Sequence, residues 1–425
     1  MELKPGYLCP PGYKQTEVGV IPKGWNIASL GDLVDQSRSI RYGIVQPGKY
    51  DSQGRFMIRG QDYSKGWVDP SDLFKVGPVV EERYRNARVK AKDLIITIVG
   101  AGTGYVESVP EWLDGANLTQ TTARIAVDPA KADSGFCKFI LQSSFGKNQV
   151  SAYIKGAAQP GLNCGDVEKF LLPLPPSLSE QRAIAGALSD VDALIGALGQ
   201  LIAKKRDFNQ ATMQQLLTGQ TRLPGFTGQW KVKSMGECLR SRPDYGINAA
   251  AVPYSARLPV YIRITDISDD GRFRPEKLVS VGLANADQYY LSEGDLVFAR
   301  TGASVGKSYL YKQQDGPLVF AGFLIRVRPD PDLLKASYLS AYVTTNAYWD
   351  WVRLMSMRSG QPGINGNEYA QLSLTLPPVP EQTAIAQVLS DMGAELEALE
   401  LRRDKTRDLK QGMMQELLTG RTRLV

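Results

Sequence analysis

Residues 179–195 read SEQRAIAGALSDVDALI, and residues 380–396 read PEQTAIAQVLSDMGAEL. The second is a restatement of the first. The same interval, to within a few residues, relates AQPGLN (158–163) to GQPGIN (360–365), DLIITIVGAGTG (93–104) to DLVFARTGASVG (295–306), MIRGQD (57–62) to YIRITD (261–266), and WNIASLGDL (25–33) to WKVKSMGEC (230–238). LLTGQTRL (216–223) likewise returns as LLTGRTRL (417–424). A repeat at a nearly fixed interval is one structural unit present twice, with insertions confined to loops.

The most alike segments read as long helices. Ile184, Leu188, Val191, Ile195, Leu198, Leu201, Ile202, Phe208 and Leu216 recur at three-to-four spacing, as do Ile385, Leu389, Met392, Leu396, Leu399, Leu409, Met413 and Leu417. That period gives each helix one apolar stripe. Prolines in PLPPSLSEQ (173–181) and LPPVPEQ (376–382) mark the entries, with Ser179 the expected cap, and Gly219 and Gly420 mark the exits. A helix of ~38 residues spans ~57 Å, too far for support by one compact domain. Two such stripes predict an antiparallel pair along a coiled-coil seam. Two unrelated surface helices, each packed on its own domain, are the alternative.

Between the helices the copies diverge. Residues 37–92 and 240–292 share little beyond an IR-x-x-D pair. Short β-rich runs (DLIITIV, ARIAV, DLVFAR, FLIRVR) alternate with turn clusters and one helical stretch, ASYLSAYVTTNAYWDWV (336–352). The fold class expected is therefore α+β: two globular α/β domains joined by two long antiparallel helices, with an internal pseudo-twofold repeat. The boundaries expected are a linker segment 1–24, a first domain 25–175, a helical region 176–223, a second domain 224–376 and a helical region 377–425. The chain is a circle of two units opened at one linker, since LLTGRTRLV at the end and EVGVIPKGW (17–25) near the start are the two halves of the bridge that 216–230 makes in the middle.

Composition excludes much chemistry. With no histidine at all, the chain lacks Ser-His-Asp and Cys-His nucleophile systems, HExxH sites and HxE deaminase sites. Cys9, Cys137, Cys164 and Cys238 form no CxxC pair, which argues for free thiols rather than a metal site. The start carries no basic segment followed by an apolar run, and no continuous apolar stretch approaches ~18 residues. The expected setting is the cytoplasm. The formal charge of +6 is a mild pointer to a polyanion.

TGASVGKSY (301–309) resembles a phosphate-binding loop, but only three residues separate Gly302 from Gly306, and the other copy has Tyr105 in place of Lys307. A glycine-rich turn after a strand fits better. The only ExK, Glu2-Leu3-Lys4, has no acid upstream, and the PP pairs at 175–176 and 377–378 are followed by Ser177 and Val379 rather than by Tyr or Phe, so neither a nuclease nor a methyltransferase motif is present. No catalytic residue and no metal ligand is assigned.

The divergent inserts carry nucleic-acid chemistry instead. RYRNARVKAK (83–92) has five basic residues and no acid, and supplies Arg83, Arg85, Arg88 and Lys90; MIRGQDYSKGW supplies Arg59, Gln61 and Lys65. The second insert supplies Arg240, Arg242, Arg263, Arg272 and Arg274. Gln159 and Gln361 of the QPG segments, with Arg300 and Lys307 of the glycine turn, complete the candidates. Arg and Gln suit bidentate contacts to base edges, and Lys suits phosphates. The competing reading for each is a solvated surface.

By YKQTEVGVIPKGW near the start, by QPGLN…LPLPPSLSEQRAIAGALSD and its twin QPGIN…LTLPPVPEQTAIAQVLSD, and by the two LLTG-x-TRL endings, the chain resembles the specificity subunit of type I restriction-modification systems. The resemblance implies a non-catalytic DNA-binding subunit whose two target recognition domains, held apart by the helices, each read half of a split, asymmetric site. It further implies that the helix stripes and linkers dock two methylation subunits, which bind S-adenosylmethionine and methylate adenine, and that restriction subunits using ATP and Mg join them. No cofactor is expected in this chain. Other readings are the specificity subunit of a different methyltransferase-based defence system, a nucleotide-hydrolysing enzyme acting through Lys307, and a protein scaffold without DNA.

Overall fold

The computed structural model describes residues 9–154, 161–283, 286–357 and 361–424. Two compact units emerge: Met1–Gly199 with Arg402–Val425, and Gln200–Leu401. Each unit thus combines one globular body with the start of one long helix and the end of the other. The repeat in sequence is a repeat in space.

In the first unit an antiparallel sheet runs in the order Arg41–Tyr42, Thr122–Ile125, Leu94–Thr97, Val106–Ser108. In the second the order is Asp244–Tyr245, Leu324–Val327, Leu296–Ala299, Ser308–Leu310, which is the same topology strand for strand. Their middle strands are buried along their whole length, as continuous runs such as LIIT and LVFA require. A second sheet distinguishes the copies. It has three strands in the first unit (Phe74–Val76, Tyr50–Ile58, Asn117–Leu118) and four in the second (Ala251–Pro253, Val279–Val281, Val260–Ile262, Leu318–Phe320). This is the part where the sequences do not match.

The long helices are Leu178–Leu217 and Val379–Leu417. In the first unit the partner of residue 180 is Arg423 and the partner of Asp192 is Lys410, so one helix climbs as the other descends. In the second, Arg222 meets Glu381, Asn209 donates to the Met392 carbonyl, and Lys205 meets Glu395 at 2.7 Å, with the same antiparallel sense. Ile184, Leu188, Leu417 and Leu418 enter the core of the first unit beside Trp25, Phe136 and Phe139. Ile385, Leu216 and Leu217 enter the core of the second beside Phe298, Tyr348 and Tyr369. Each such side chain contributes about 1.5–3 kcal/mol by leaving water.

Leu198 and Ile202 are also buried, and Val191, Ile195, Leu389, Met392, Leu396 and Leu399 are half-buried. Leu201, Phe208 and Leu409, counted above in the stripes, are 41%, 62% and 58% exposed. A single partner helix covers only a narrow seam, and apolar residues beside it stay in water. Leu178–Leu217 is long and apolar enough by length and composition to cross a membrane, a property that counting continuous apolar residues does not detect. Its Ile184 and Leu188 are nevertheless core residues of a globular unit.

Two local expectations change. The first helix is capped by Ser177, whose Oγ accepts from the Ser179 N–H at 3.1 Å, because the helix begins at Leu178, earlier than a Ser179 cap would allow. The stretch 336–352 is two helices, Ala336–Tyr342 and Asn346–Ser356, since Thr345 caps the second through the Tyr348 N–H.

The motifs shared by the copies are joints. Gln181 accepts from the Asp133 N–H at 2.9 Å and donates to the Pro175 carbonyl; Gln382 accepts from the Lys335 N–H at 2.9 Å and donates to the Leu333 and Pro377 carbonyls. Glu180 receives Arg423 in a two-pronged pair, and Glu381 receives Arg222 likewise, with the Trp230 indole N–H added at 3.2 Å. Gly219 and Gly420 close the helices at φ +72° and +66°, and a Cβ on Gly420 would lie 2.4 Å from Pro22 Cγ. The phrase LLTG-x-TRL therefore encodes two core leucines, a helix stop and the arginine of the joint.

Candidate nucleic-acid interface

In each unit the central strand leaves the sheet into a glycine turn and returns as its neighbour. Gly104 and Gly306, at φ +90° and +88°, sit so close to the following helices that a Cβ would fall 2.6 Å from Val150 Cγ1 or 2.7 Å from Val352 Cγ1. The segment 301–309 is thus strand, turn, strand rather than strand, loop, helix, and Lys307 is held by Asp269 at 2.7 Å. Val99 bridges to Gly161, and Thr301 to Gly363, which brings the glycines that close the two QPG segments to the same end of the sheet as the glycine turn.

That end carries different chemistry in the two copies. In the first unit, Arg59 and Gln61 line a cleft of about 520 Å³ together with Ser64, Thr97, Gln120 and Thr121. Gln61, Lys65 and Gln120 are exposed. Sequence reasoning passed over Gln120 and Thr121, although the polar run TQTT between two strands was a visible signal. In the second unit the Arg300 guanidinium stacks 4.9 Å over the Tyr245 ring, the Arg300 backbone N–H donates to the Phe323 carbonyl, and Phe323 itself is 59% exposed. Gln361 reaches the same place, its Nε2 lying 3.2 Å from where a Cβ on Gly302 would stand. Gln159, the first-unit counterpart, lies outside the described residues.

Several candidate arginines have partners within the protein. Arg59 donates to Asp62 through Nε and Nη2 while the Asp62 carboxylate accepts the Arg59 backbone N–H, and Arg263 does the same with Asp266. The IR-x-x-D pair is a clamp that starts a short turn, which is why it survives where all else diverged. Arg88 is paired with Glu81 at 2.6 Å and Glu82 at 2.7 Å, and Arg85 with Glu82 at 3.2 Å. Burial works to raise the Glu81 carboxyl, but hydrogen bonds from Arg88 and Asn117 carry it below its ordinary value. The acid-free charge run of 83–92 is therefore partly neutralised by the two residues just upstream. Arg83 and Lys90 are exposed and make no ion pair among the described residues.

In the second insert Arg240 and Arg242 are exposed. Arg272 pairs with Asp270 at 3.0 Å and with Glu397 of the long helix, and Arg274 lies 3.4 Å from Asp270. Among the described residues no cluster of three His, Cys, Asp or Glu side chains is placed to hold a metal.

The family model of the type I restriction modification DNA specificity domain matches twice, over residues 22–204 and 229–404. The chain is 26% identical over 219 residues to the type I restriction enzyme EcoBI specificity subunit of Escherichia coli, an alignment that spans 51% of this chain and 44% of that protein. It is 24% identical to the EcoKI specificity subunit of Escherichia coli K12, over 90% of this chain and 85% of that one. Its fold is similar to the crystal structure of the type I restriction-modification system S subunit from M. genitalium, with a TM-score of 0.59 at 14% identity, covering 92% of this chain and 96% of that chain.

Proposed function

From the premise that this chain belongs to the type I restriction modification DNA specificity family, we propose that it is the non-catalytic subunit that reads a bipartite, asymmetric DNA site, one half with each unit. The observation that carries this is the same sheet end built twice with different side chains: Gln61, Gln120 and Thr121 in one copy, Arg300, Tyr245, Phe323 and Gln361 in the other. Amide side chains suit adenine edges and arginine suits guanine, so two unlike surfaces on one frame would read two unlike half-sites.

In this reading the frame receives two methylation subunits, and restriction subunits through them, since a pseudo-twofold repeat offers one partner two similar seats. The half-buried stripe residues Val191, Ile195, Leu389, Met392, Leu396 and Leu399 are the proposed seat and seam. S-adenosylmethionine, ATP and Mg would reside on those partners, and the complex would work in the cytoplasm.

Exchanging residues 37–92 for the matching part of another family member tests the division of labour. Mapping of methylated adenines should show one half-site changed and the other intact. A change in both halves together would refute two independent readers.

A further inference from the structure

Strand Arg41–Tyr42 pairs with Thr122–Ile125 so that Arg41 stands directly opposite Arg124; the equivalent pairing in the second unit sets Asp244 opposite Arg326. Both inner arginines are buried, Arg124 at 3% and Arg326 at 2% exposure. Arg326 donates to Asp244 at 2.6 Å and lies 3.5 Å from Asp295, so its charge is balanced. Among the described residues the Arg124 guanidinium donates only to the carbonyls of Asn86, Arg88 and Ser39, and its Nε has no hydrogen-bond partner. Asp93, the counterpart of Asp295, is taken up by Arg38 at 2.9 Å. Like charges directly opposite in a sheet repel, and a buried cation that no carboxylate touches is costly. Burial, then the nearby Arg38 charge, hold the Arg124 guanidinium below its ordinary value; Asp93 and Asp35 pull the other way and Arg41 adds to the lowering.

These groups converge on a cleft of about 510 Å³ lined by Arg38, Arg41, Arg85, Arg88, Lys90 and Arg124, with Asp114 as the acid among them. Arg41 and Lys90 make no ion pair among the described residues. The geometry points to a phosphate-binding site in this cleft, in the first unit alone. A phosphate oxygen would do for Arg41 and Arg124 what the Asp244 carboxylate does for Arg326, and guanidinium forks suit that geometry. The phosphate comes either from the DNA backbone beside the first half-site or from a small phosphate compound. The first source rests on the DNA-reading function; the second does not.

The test uses the full chain, with Arg41→Asp to install the arrangement of the second unit and Arg41→Gln to remove the Arg41 charge without supplying a carboxylate. Inorganic phosphate titrated at constant ionic strength against chloride should raise the wild-type Tm by a few degrees and leave Arg41→Asp unmoved. Duplex binding that weakens about tenfold in both variants, with a salt dependence shallower by about one phosphate contact, assigns the site to the DNA backbone. Unchanged duplex affinity with the phosphate response intact assigns it to a small phosphate compound. A wild-type Tm that phosphate moves no more than chloride, together with unchanged duplex affinity in Arg41→Gln, overturns the proposal. If Arg41→Asp does not fold, Arg41→Gln carries both comparisons. If the wild type binds no duplex at all, the DNA-reading function fails while the phosphate titration still decides the site.

Discussion

At the entries to the long helices the two copies do the same work with the same residues: a glutamine ties the helix to the loop before Phe136 or Tyr338, and a glutamate receives an arginine from the far end of the other helix. On the globular bodies they share a topology but not a chemistry. Arg124 faces Arg41 where Arg326 faces Asp244, and Gln120 and Thr121 stand where Gly322 and Phe323 do. A frame that must fit something common keeps its joints, and surfaces that must fit different things lose their likeness. The divergence of the inserts is thus informative in itself.

The largest effect should separate the two buried arginines. Arg326→Leu leaves Asp244 and Asp295 with only Arg328, at 3.4 and 3.7 Å, and should cost the second unit roughly 3–5 kcal/mol. Arg124→Leu removes a charge that no carboxylate touches and strands three carbonyls, at about 1–3 kcal/mol. Denaturant unfolding of both variants measures this, and equal losses would mean that the carbonyls and the more distant Asp93 serve Arg124 as well as a contacting carboxylate does.

The joints offer a second contrast. Glu381 holds both Arg222 and the Trp230 indole, whereas Glu180 holds Arg423 and the Trp25 indole N–H has no partner among the described residues. Glu381→Ala should lower Tm by roughly 5 °C or more, and Glu180→Ala by less. Matching shifts in calorimetry would show that the indole bond adds nothing.

The smallest effect concerns Glu81, which has lowered affinity for its proton in the folded state. A carboxyl of this kind stabilises above its unfolded pKa of about 4.3 and loses that contribution as pH falls through the folded value. Glu81→Gln should therefore be less stable than the wild type at pH 7, and the two should converge as the medium is acidified below about pH 4. A gap that persists in acid would mean that Glu81 acts through packing rather than charge.

The doubled frame was legible because identity between copies is read directly, without any propensity scale. The helices were legible because their period is long and unbroken, but membership of the buried seam was not: Phe208 and Leu409 keep the spacing and still face water, since only the partner helix decides where the seam runs. The interface was harder. Arg59 and Arg263 look like free cations in a linear text, and only the three-dimensional turn shows Asp62 and Asp266 closing on them. Their persistence in otherwise unlike inserts was the hint that they belong to the frame. Arg88 misled for a related reason, because a run that begins at residue 83 hides the acids at 81 and 82. Arg124 was passed over because a single cation inside ARIAV reads as an edge residue, and its burial depends on a second sheet assembled from distant segments.

The joint between Glu180 and Arg423 also sets a schedule. The first unit to leave the ribosome is Met1–Gly199, yet its closing piece is Arg402–Val425, whereas Gln200–Leu401 holds everything the second unit needs in one unbroken stretch. At ~5–20 residues per second the ribosome takes on the order of ten seconds or more to travel from one part to the other. Through that time Ile184 and Leu188 lack the cover that Leu417 and Leu418 later provide. The body begun first is finished last, so a chain interrupted shortly before residue 402 would carry a complete second unit behind an open first one, with the exposed apolar surface that folding helpers recognise.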